Sequence, residues 1–192
     1  MTTLDLPNEF IVFDLEWTAW EGSMARGWNG PNEYREIYDI GAVLVTGSEF
    51  KMQDTYRQIV TLEIVPNLPA YSTKLTGITQ EQIDAGGIPF SEMVPAFKTF
   101  AGDRPVYCWG IDGERLAENC ELKNVDNPFP AMQFQNMKDV FTAQGVPADD
   151  YMSSTIVQYF GEVNKHTAHQ GLDDAQNIVE ALRLLQIKKS AT

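Results

Sequence analysis

Asp14 and Glu16 stand two apart in the apolar run Phe10-Ile11-Val12-Phe13-Asp14-Leu15-Glu16. In an extended strand, residues i and i+2 share one face, so both carboxylates point the same way. Two acids on a buried strand are costly, because an unpaired buried carboxylate protonates rather than stay charged. A divalent cation relieves that cost, and hard oxygen ligands favour Mg²⁺ or Mn²⁺. The other reading puts the pair at the solvated end of its strand or against Lys or Arg partners. A second cluster is His166-Thr167-Ala168-His169-Gln170-Gly171-Leu172-Asp173-Asp174. On one helix His169 and Asp174 would diverge by about 140°. With His169 in the loop before a helix, its imidazole can swing over the face from which Asp174 projects. His166 and His169 also have the i, i+3 spacing of a zinc pair, although these are the only 2 histidines and no thiolate is near them in sequence. Asp112 closes a third short segment, Val106 to Ile111. It reads either as a helix N-cap or as a further ligand.

These side chains need elements to hold them. Phe10 to Glu16 reads as a buried central strand, and residues 36–46 and about 55–65 as two more, β-branched and aromatic. Three strands close in sequence suggest an antiparallel meander. Trp17 to Tyr34, with Gly27-Trp28-Asn29-Gly30-Pro31-Asn32, reads as a loop. Thr79 is a candidate N-cap for a helix from Gln80 to Ala85, and Ser91 for one carrying Met93, Val94, Phe97 and Phe100. Val106-Tyr107-Cys108-Trp109 reads as a strand, followed by a helix from Asp112 to about Leu122. Asn124 to Ala131 is a loop, and helical patterns follow at about 137–144 and 151–160. The final helix is the clearest, since Leu172, Ala175, Ile178, Val179, Leu182 and Leu185 recur at helical spacing. The elements describe an α/β or α+β single domain across residues 1–192, with its core at about 8–187 and a short tail at 188–192.

Composition limits the function classes. The chain of 192 residues carries 14 Lys+Arg against 27 Asp+Glu, a net charge of −13, and its pI is near 4.4. Such a field argues against gripping long nucleic acid by positive charge. No run approaches the ~20 apolar residues of a membrane span, and Met1 to Glu9 lacks a basic n-region, so neither a membrane nor a secretory route is expected. Two cysteines, Cys108 and Cys120, cannot form a disulfide framework, which makes a cytoplasmic location the expectation.

Taken together, the segments resemble a known family. Asp14-Leu15-Glu16, then Trp109-Gly110-Ile111-Asp112, then His169-Gln170-Gly171-Leu172-Asp173-Asp174-Ala175 are similar to the three-motif signature of the DEDDh 3′-to-5′ exonucleases. That family includes RNase T, oligoribonuclease and polymerase proofreading subunits. Leu75-Thr76-Gly77-Ile78-Thr79 resembles a further family segment, and Asn136-Met137-Lys138-Asp139-Val140-Phe141 an N-x-K-x-x-F stretch. The resemblance, strongest to the branch that trims histone-mRNA and small-RNA 3′ ends, runs from about Phe10 to Leu185. It implies a ribonuclease H-like fold, a mixed five-stranded sheet flanked by helices. It also implies four metal-ligating carboxylates, Asp14, Glu16, Asp112 and Asp174, with His169 as general base. The family pattern selects Asp174 over its rival Asp173, leaving Leu172 toward the sheet and Asp173 at the rim. The activity implied is hydrolysis of single-stranded RNA or DNA 3′ ends to nucleoside 5′-monophosphates, with two Mg²⁺ or Mn²⁺ ions per site stabilising the attacking and leaving oxygens. A non-catalytic nucleic-acid- or protein-binding member is the alternative. A homodimer is compatible with the resemblance, since some relatives are dimers.

The sequence departs from the pattern at Trp17, where a small residue is common, while Thr18 matches it. Trp17, Thr18, Trp20 and Lys165 are the candidate substrate-binding residues. Bases stack on aromatic faces at about 1–3 kcal/mol each, but each tryptophan, Trp28 included, also suits packing. Cations for a phosphate backbone are sparse (Arg26, Lys74, Lys138 and Lys165), which favours a short grip of a few nucleotides.

Overall fold

The computed structural model describes residues 4–190. Five strands form one sheet: β1 (Glu9–Trp17), β2 (Ile37–Thr46), β3 (Lys51–Ile59), β4 (Val106–Cys108) and β5 (Phe134–Asn136), in the order β3-β2-β1-β4-β5. The first three form the expected antiparallel meander. β4 joins the other side of β1 in parallel, and β5 joins β4 in parallel. This is the mixed five-stranded sheet that the family resemblance implied. Six α-helices accompany it: α1 (Ala70–Thr76), α2 (Gln80–Gly86), α3 (Phe90–Ala101), α4 (Asp112–Leu122), α5 (Met137–Thr142) and α6 (Gly171–Ser190).

Alternation along β1 divides the core in two. Phe10 and Val12 pack with Ile178, Val179, Leu182 and Leu185 of α6. Ile11, Phe13 and Leu15 turn the other way, onto Met93 and Phe97 of α3 and Leu116 of α4. Asp14 and Glu16 continue the even-numbered row, so the strand itself directs them to the α6 layer. A strand buried on both faces need not alternate in polarity, which is why β1 from Phe10 onward reads as a continuous apolar run broken only by Asp14 and Glu16.

Where β2 begins and β3 ends, the sheet is braced by a buried ion pair. Lys123 Nζ lies 2.7 Å from Glu36 Oε1, with both side chains sealed from solvent. Glu36 also accepts the backbone N–H groups of Glu63, Ile64 and Val65. One carboxylate thereby ties α4 to the segment leaving β3.

Several expectations need correction. The third strand spans 51–59 rather than 55–65. It is a solvated sheet edge, so Lys51 to Asp54 lack the apolar signal, while residues 63–65 are recruited by Glu36. α1 was not foreseen. Helix α3 starts at Phe90, with Pro89 rather than Ser91 at the N-cap. Thr79 does cap α2, in a reciprocal box with Gln82. Of 151–160, only Ile156–Phe160 is helical, as a 3-10 helix, and α5 stops at Thr142. α6 continues to Ser190, past the end assigned to the core, while the final tail residues 191 and 192 lie outside the described residues. No described helix is long and apolar enough to cross a membrane.

Candidate active site

Asp14, Glu16, Asp112 and Asp174 converge at the C-terminal end of β1, although they come from three separate parts of the chain. Asp14 and Glu16 are 6% and 9% exposed, Asp112 4% and Asp174 1%. β4 is only three residues long and pairs β1 at Ile11 and Val12. The β1 backbone beyond is therefore free, and Leu15 N–H donates to Asp112 Oδ1 at 3.1 Å. Asp112 is the first residue of α4 rather than its N-cap, which is Ile111.

Asp174 arrives by a different device. Its Oδ2 accepts His169 N–H at 3.2 Å and the Ser153 hydroxyl at 3.3 Å. His169 sits in the loop before α6 with φ +60°, a left-handed conformation uncommon for a non-glycine residue. The Asp174 carboxylate holds that turn, so the imidazole swings over it as the spacing predicted. Oδ1 of Asp174 is buried and has no hydrogen-bond partner. Ligand atoms of Glu16, His169 and Asp174 lie within 4.8 Å of one another. Asp173 turns outward, its carboxylate accepting Thr167 N–H and lying 4.0 Å from His166 Nδ1. The His166–His169 zinc pairing is thus not formed, because His166 faces Asp173.

The start of α6 is set against the sheet by backbone contact. A Cβ on Gly41 of β2 would lie 1.8 Å from Leu172 N, and one on Gly171 would lie 2.8 Å from Asp14 O. Only glycine allows this approach. Asp39, which pairs with Glu16 across the β1–β2 register, receives Gly171 N–H on Oδ2 at 3.0 Å and Arg57 Nε on Oδ1 at 3.3 Å.

Electrostatics fit a cation site. Burial, then repulsion from Asp112, Asp174 and Glu16, holds the Asp14 carboxyl well above the usual carboxylate range. Burial, followed by Asp174, Asp39 and Asp112, does the same to Glu16. No cation offsets either group among the described residues. Burial pushes Asp112 and Asp174 up to about 7 despite the N–H groups that they accept. Burial also lowers His169, which keeps its imidazole neutral at neutral pH. Four desolvated acids, one with an orphaned oxygen, form a set of hard oxygen donors suited to Mg²⁺ or Mn²⁺, with a neutral histidine beside them.

These residues line a cleft of about 810 Å³ whose other wall carries Trp17, Trp20, Met24, Trp28, Tyr71 and Leu75. Ser72 holds that wall together, its hydroxyl accepting Ala19 N–H and donating to Ala19 O. Trp17 and Trp20 are half-buried and face the cleft. Thr18 does not. It is fully buried, and its hydroxyl accepts Glu36 N–H and donates to Tyr34 O, so it braces the loop rather than facing substrate. Trp28 is fixed by an indole N–H bond to Thr18 O and by Arg35, 4.7 Å over its ring. Lys165 is exposed and outside the residues lining the cleft; the lysine that lines it is Lys138. Sequence reasoning missed Asp39 and Ser153, whose roles come from contacts across the fold and carry no local signal.

A family model for the RNase T type of exonuclease matches residues 11–182. The chain belongs to the RNase T exonuclease family. It is 28% identical over 187 residues to 3′-5′ exoribonuclease 1 of Mus musculus, an overlap of 91% of this chain and 52% of that protein. The chain spans about half the length of the curated exoribonuclease 1 relatives it matches. A solved structure described as 3′-end specific recognition of histone mRNA stem-loop by 3′-exonuclease superposes with a TM-score of 0.80 at 23% identity, over 97% of this chain and 67% of that one. The nuclease domain of 3′hExo, a DEDDh family member bound to rAMP, gives 0.77 at 23%, over 97% and 95%. The ribonuclease H-like fold of this exonuclease family chain is therefore established.

Proposed function

We propose that the chain is a metal-dependent 3′-to-5′ exonuclease domain that removes nucleoside 5′-monophosphates from single-stranded nucleic-acid 3′ ends. The observation that carries this reading is the convergence of four buried carboxylates and a neutral histidine, with one carboxylate oxygen left unpartnered. A scaffold that only bound a partner has no use for four converging acids.

Asp14, Glu16, Asp112 and Asp174 would hold two divalent cations, Mg²⁺ or Mn²⁺. When bound, such ions act as Lewis acids on the attacking and leaving oxygens of an in-line displacement. His169 accepts the proton of the attacking water on a ring nitrogen. Its burial suits that task, since a base must be unprotonated at working pH. The bond from His169 N–H to Asp174 Oδ2 links the position of the base to that of a ligand. Trp17 and Trp20 offer faces on which terminal bases stack. The names of the curated relatives favour RNA over DNA. Free, buried Cys108 and Cys120 fit the cytoplasmic location read from the sequence.

The test is a panel of 5′-labelled RNA and DNA oligonucleotides, single- and double-stranded, with free and blocked 3′ ends, in Mg²⁺, Mn²⁺ or chelator. Stepwise shortening from free 3′ ends in metal alone is expected, and Asp14→Ala should abolish it in a folded protein. Equal rates on blocked ends, or full activity in chelator, would overturn the assignment.

A further inference from the structure

Among the described residues lining the cleft, Lys138 is the one Lys or Arg, against Asp14, Glu16, Asp112, Asp149, Asp150 and Asp174. Its position is built rather than incidental. Lys138 N–H donates to Asn136 Oδ1 at 3.0 Å, and the same oxygen accepts Gly110 N–H at 3.1 Å. The side chain that caps α5 therefore also fixes the turn leading to Asp112. This gives a role to the N-x-K spacing of Asn136 and Lys138, which the catalytic scheme leaves unused. The Lys138 ammonium lies 6.0 Å from the Trp109 ring, and its side chain is 23% exposed. Its anionic partner is Asp149, with Oδ1 at 3.2 Å from Nζ and a side chain 92% exposed.

The two halves of this ion pair are held very differently. Lys138 is packed and its backbone is tied to the turn before Asp112, whereas the Asp149 carboxylate stands almost wholly in water. A pair with an exposed member contributes little, because water and salt compete for it. A phosphodiester presents to an ammonium what the Asp149 carboxylate presents, a single negative charge on two oxygens. We infer that Lys138 contacts a phosphate of the substrate strand and that Asp149 is a built-in competitor, occupying the ammonium in the free protein and yielding to that phosphate. This rests on the exonuclease reading. It also accounts for an acidic cleft accepting a polyanion, since an arriving phosphate replaces a carboxylate already on the lysine. Anions with weaker claims on the site, such as chloride, meet an occupied cation.

The test combines kinetics on a short single-stranded RNA with a substitution cycle. Asp149→Asn should lower KM about 1.5- to 5-fold, the equilibrium equivalent of an exposed ion pair. Lys138→Met should raise KM more than it lowers kcat, and Lys138→Arg should restore most of the loss. In the Lys138→Met background, Asp149→Asn should have no effect, since there is no cation left to compete for. A set of oligonucleotides with one neutral methylphosphonate at successive positions should show one position that raises KM in the wild type and is silent in Lys138→Met. An unchanged KM in Asp149→Asn would overturn the proposal. So would an equal benefit of Asp149→Asn with and without Lys138, which marks a general loss of negative charge. Those outcomes leave exonuclease activity standing. A wild type that cleaves no oligonucleotide in Mg²⁺ or Mn²⁺ instead overturns the exonuclease reading, and this inference with it.

Discussion

If the four acids are a cation site, removing one of their charges should stabilise the metal-free protein, and Asp174→Asn is the cleanest case. Burial carries Asp174 from the ordinary 3.8 to about 7. The folded value lies above the unfolded one, so stability is fully present below about pH 4 and is lost as pH rises through about 7. At about 1.4 kcal/mol per pH unit, ionised Asp174 costs the folded state about 4 kcal/mol at pH 8. The amide keeps one oxygen to accept His169 N–H or the Ser153 hydroxyl, and weakening one of those bonds returns about 1–2 kcal/mol. The net gain is about 2–3 kcal/mol, or about 5–10 °C in Tm for a chain of this size. Thermal unfolding in chelator at pH 8 and pH 5 reads it directly. Asp174→Asn should melt higher at pH 8, and the gap should narrow at pH 5, where the wild-type carboxyl is protonated. Mn²⁺ should then raise the wild-type Tm by more than that of the variant. A variant less stable than the wild type at pH 8, or a gap that ignores pH, would refute the reasoning.

Four other substitutions test how the site and its walls are held. Gly41→Ala places a methyl 1.8 Å from Leu172 N, so α6 must move, with a loss of about 3 kcal/mol in urea unfolding and of most activity. Unchanged stability would show that α6 docks with slack. Lys123→Met leaves Glu36 buried without its cation and should cost about 3 kcal/mol, at the low end for such pairs because three backbone N–H groups remain. Denaturation of Glu36→Gln/Lys123→Met should show part of that loss recovered. Trp28→Ala should lower stability by about 3 kcal/mol or more, since its indole N–H and ring are both engaged. Trp20→Ala should instead raise KM for short oligonucleotides at little cost in Tm, and the opposite assignment of the two effects would reverse their roles.

Asp14 and Glu16 were legible because strand periodicity is strict and the run around them is apolar on both faces. Asp174 and His169 were legible once the histidine was placed ahead of the helix, since five residues within one helix would have turned them apart. Asp112 was ambiguous, because a helix-starting aspartate reads the same whether it caps or coordinates. Its bond to Leu15 N–H depends on how short β4 is. Edge strand β3 escaped notice in its first half because water, not a core, faces Lys51 and Asp54. Strand β5 is too short to carry a pattern. Lys165 reads from sequence as a substrate-binding candidate and Lys138 only as one of four sparse cations, since sequence alone places neither side chain. Only the Asn136 cap and the path of the chain place one in the cleft and the other outside it. Thr18 shows the reverse, a residue that matched a motif while its hydroxyl was spent on the loop.

The site draws its first acids from β1 and its last from the opening turn of α6, nearly the full length of the chain away. On the ribosome, the antiparallel meander and the turn bearing Asp112 emerge well before His169 and Asp174. The paired acids of β1 are thus made long before the residues that complete the cluster around them. The cluster is complete only with α6 docked on Gly41, so one backbone contact between β2 and α6 decides whether the two ends of the chain share a site.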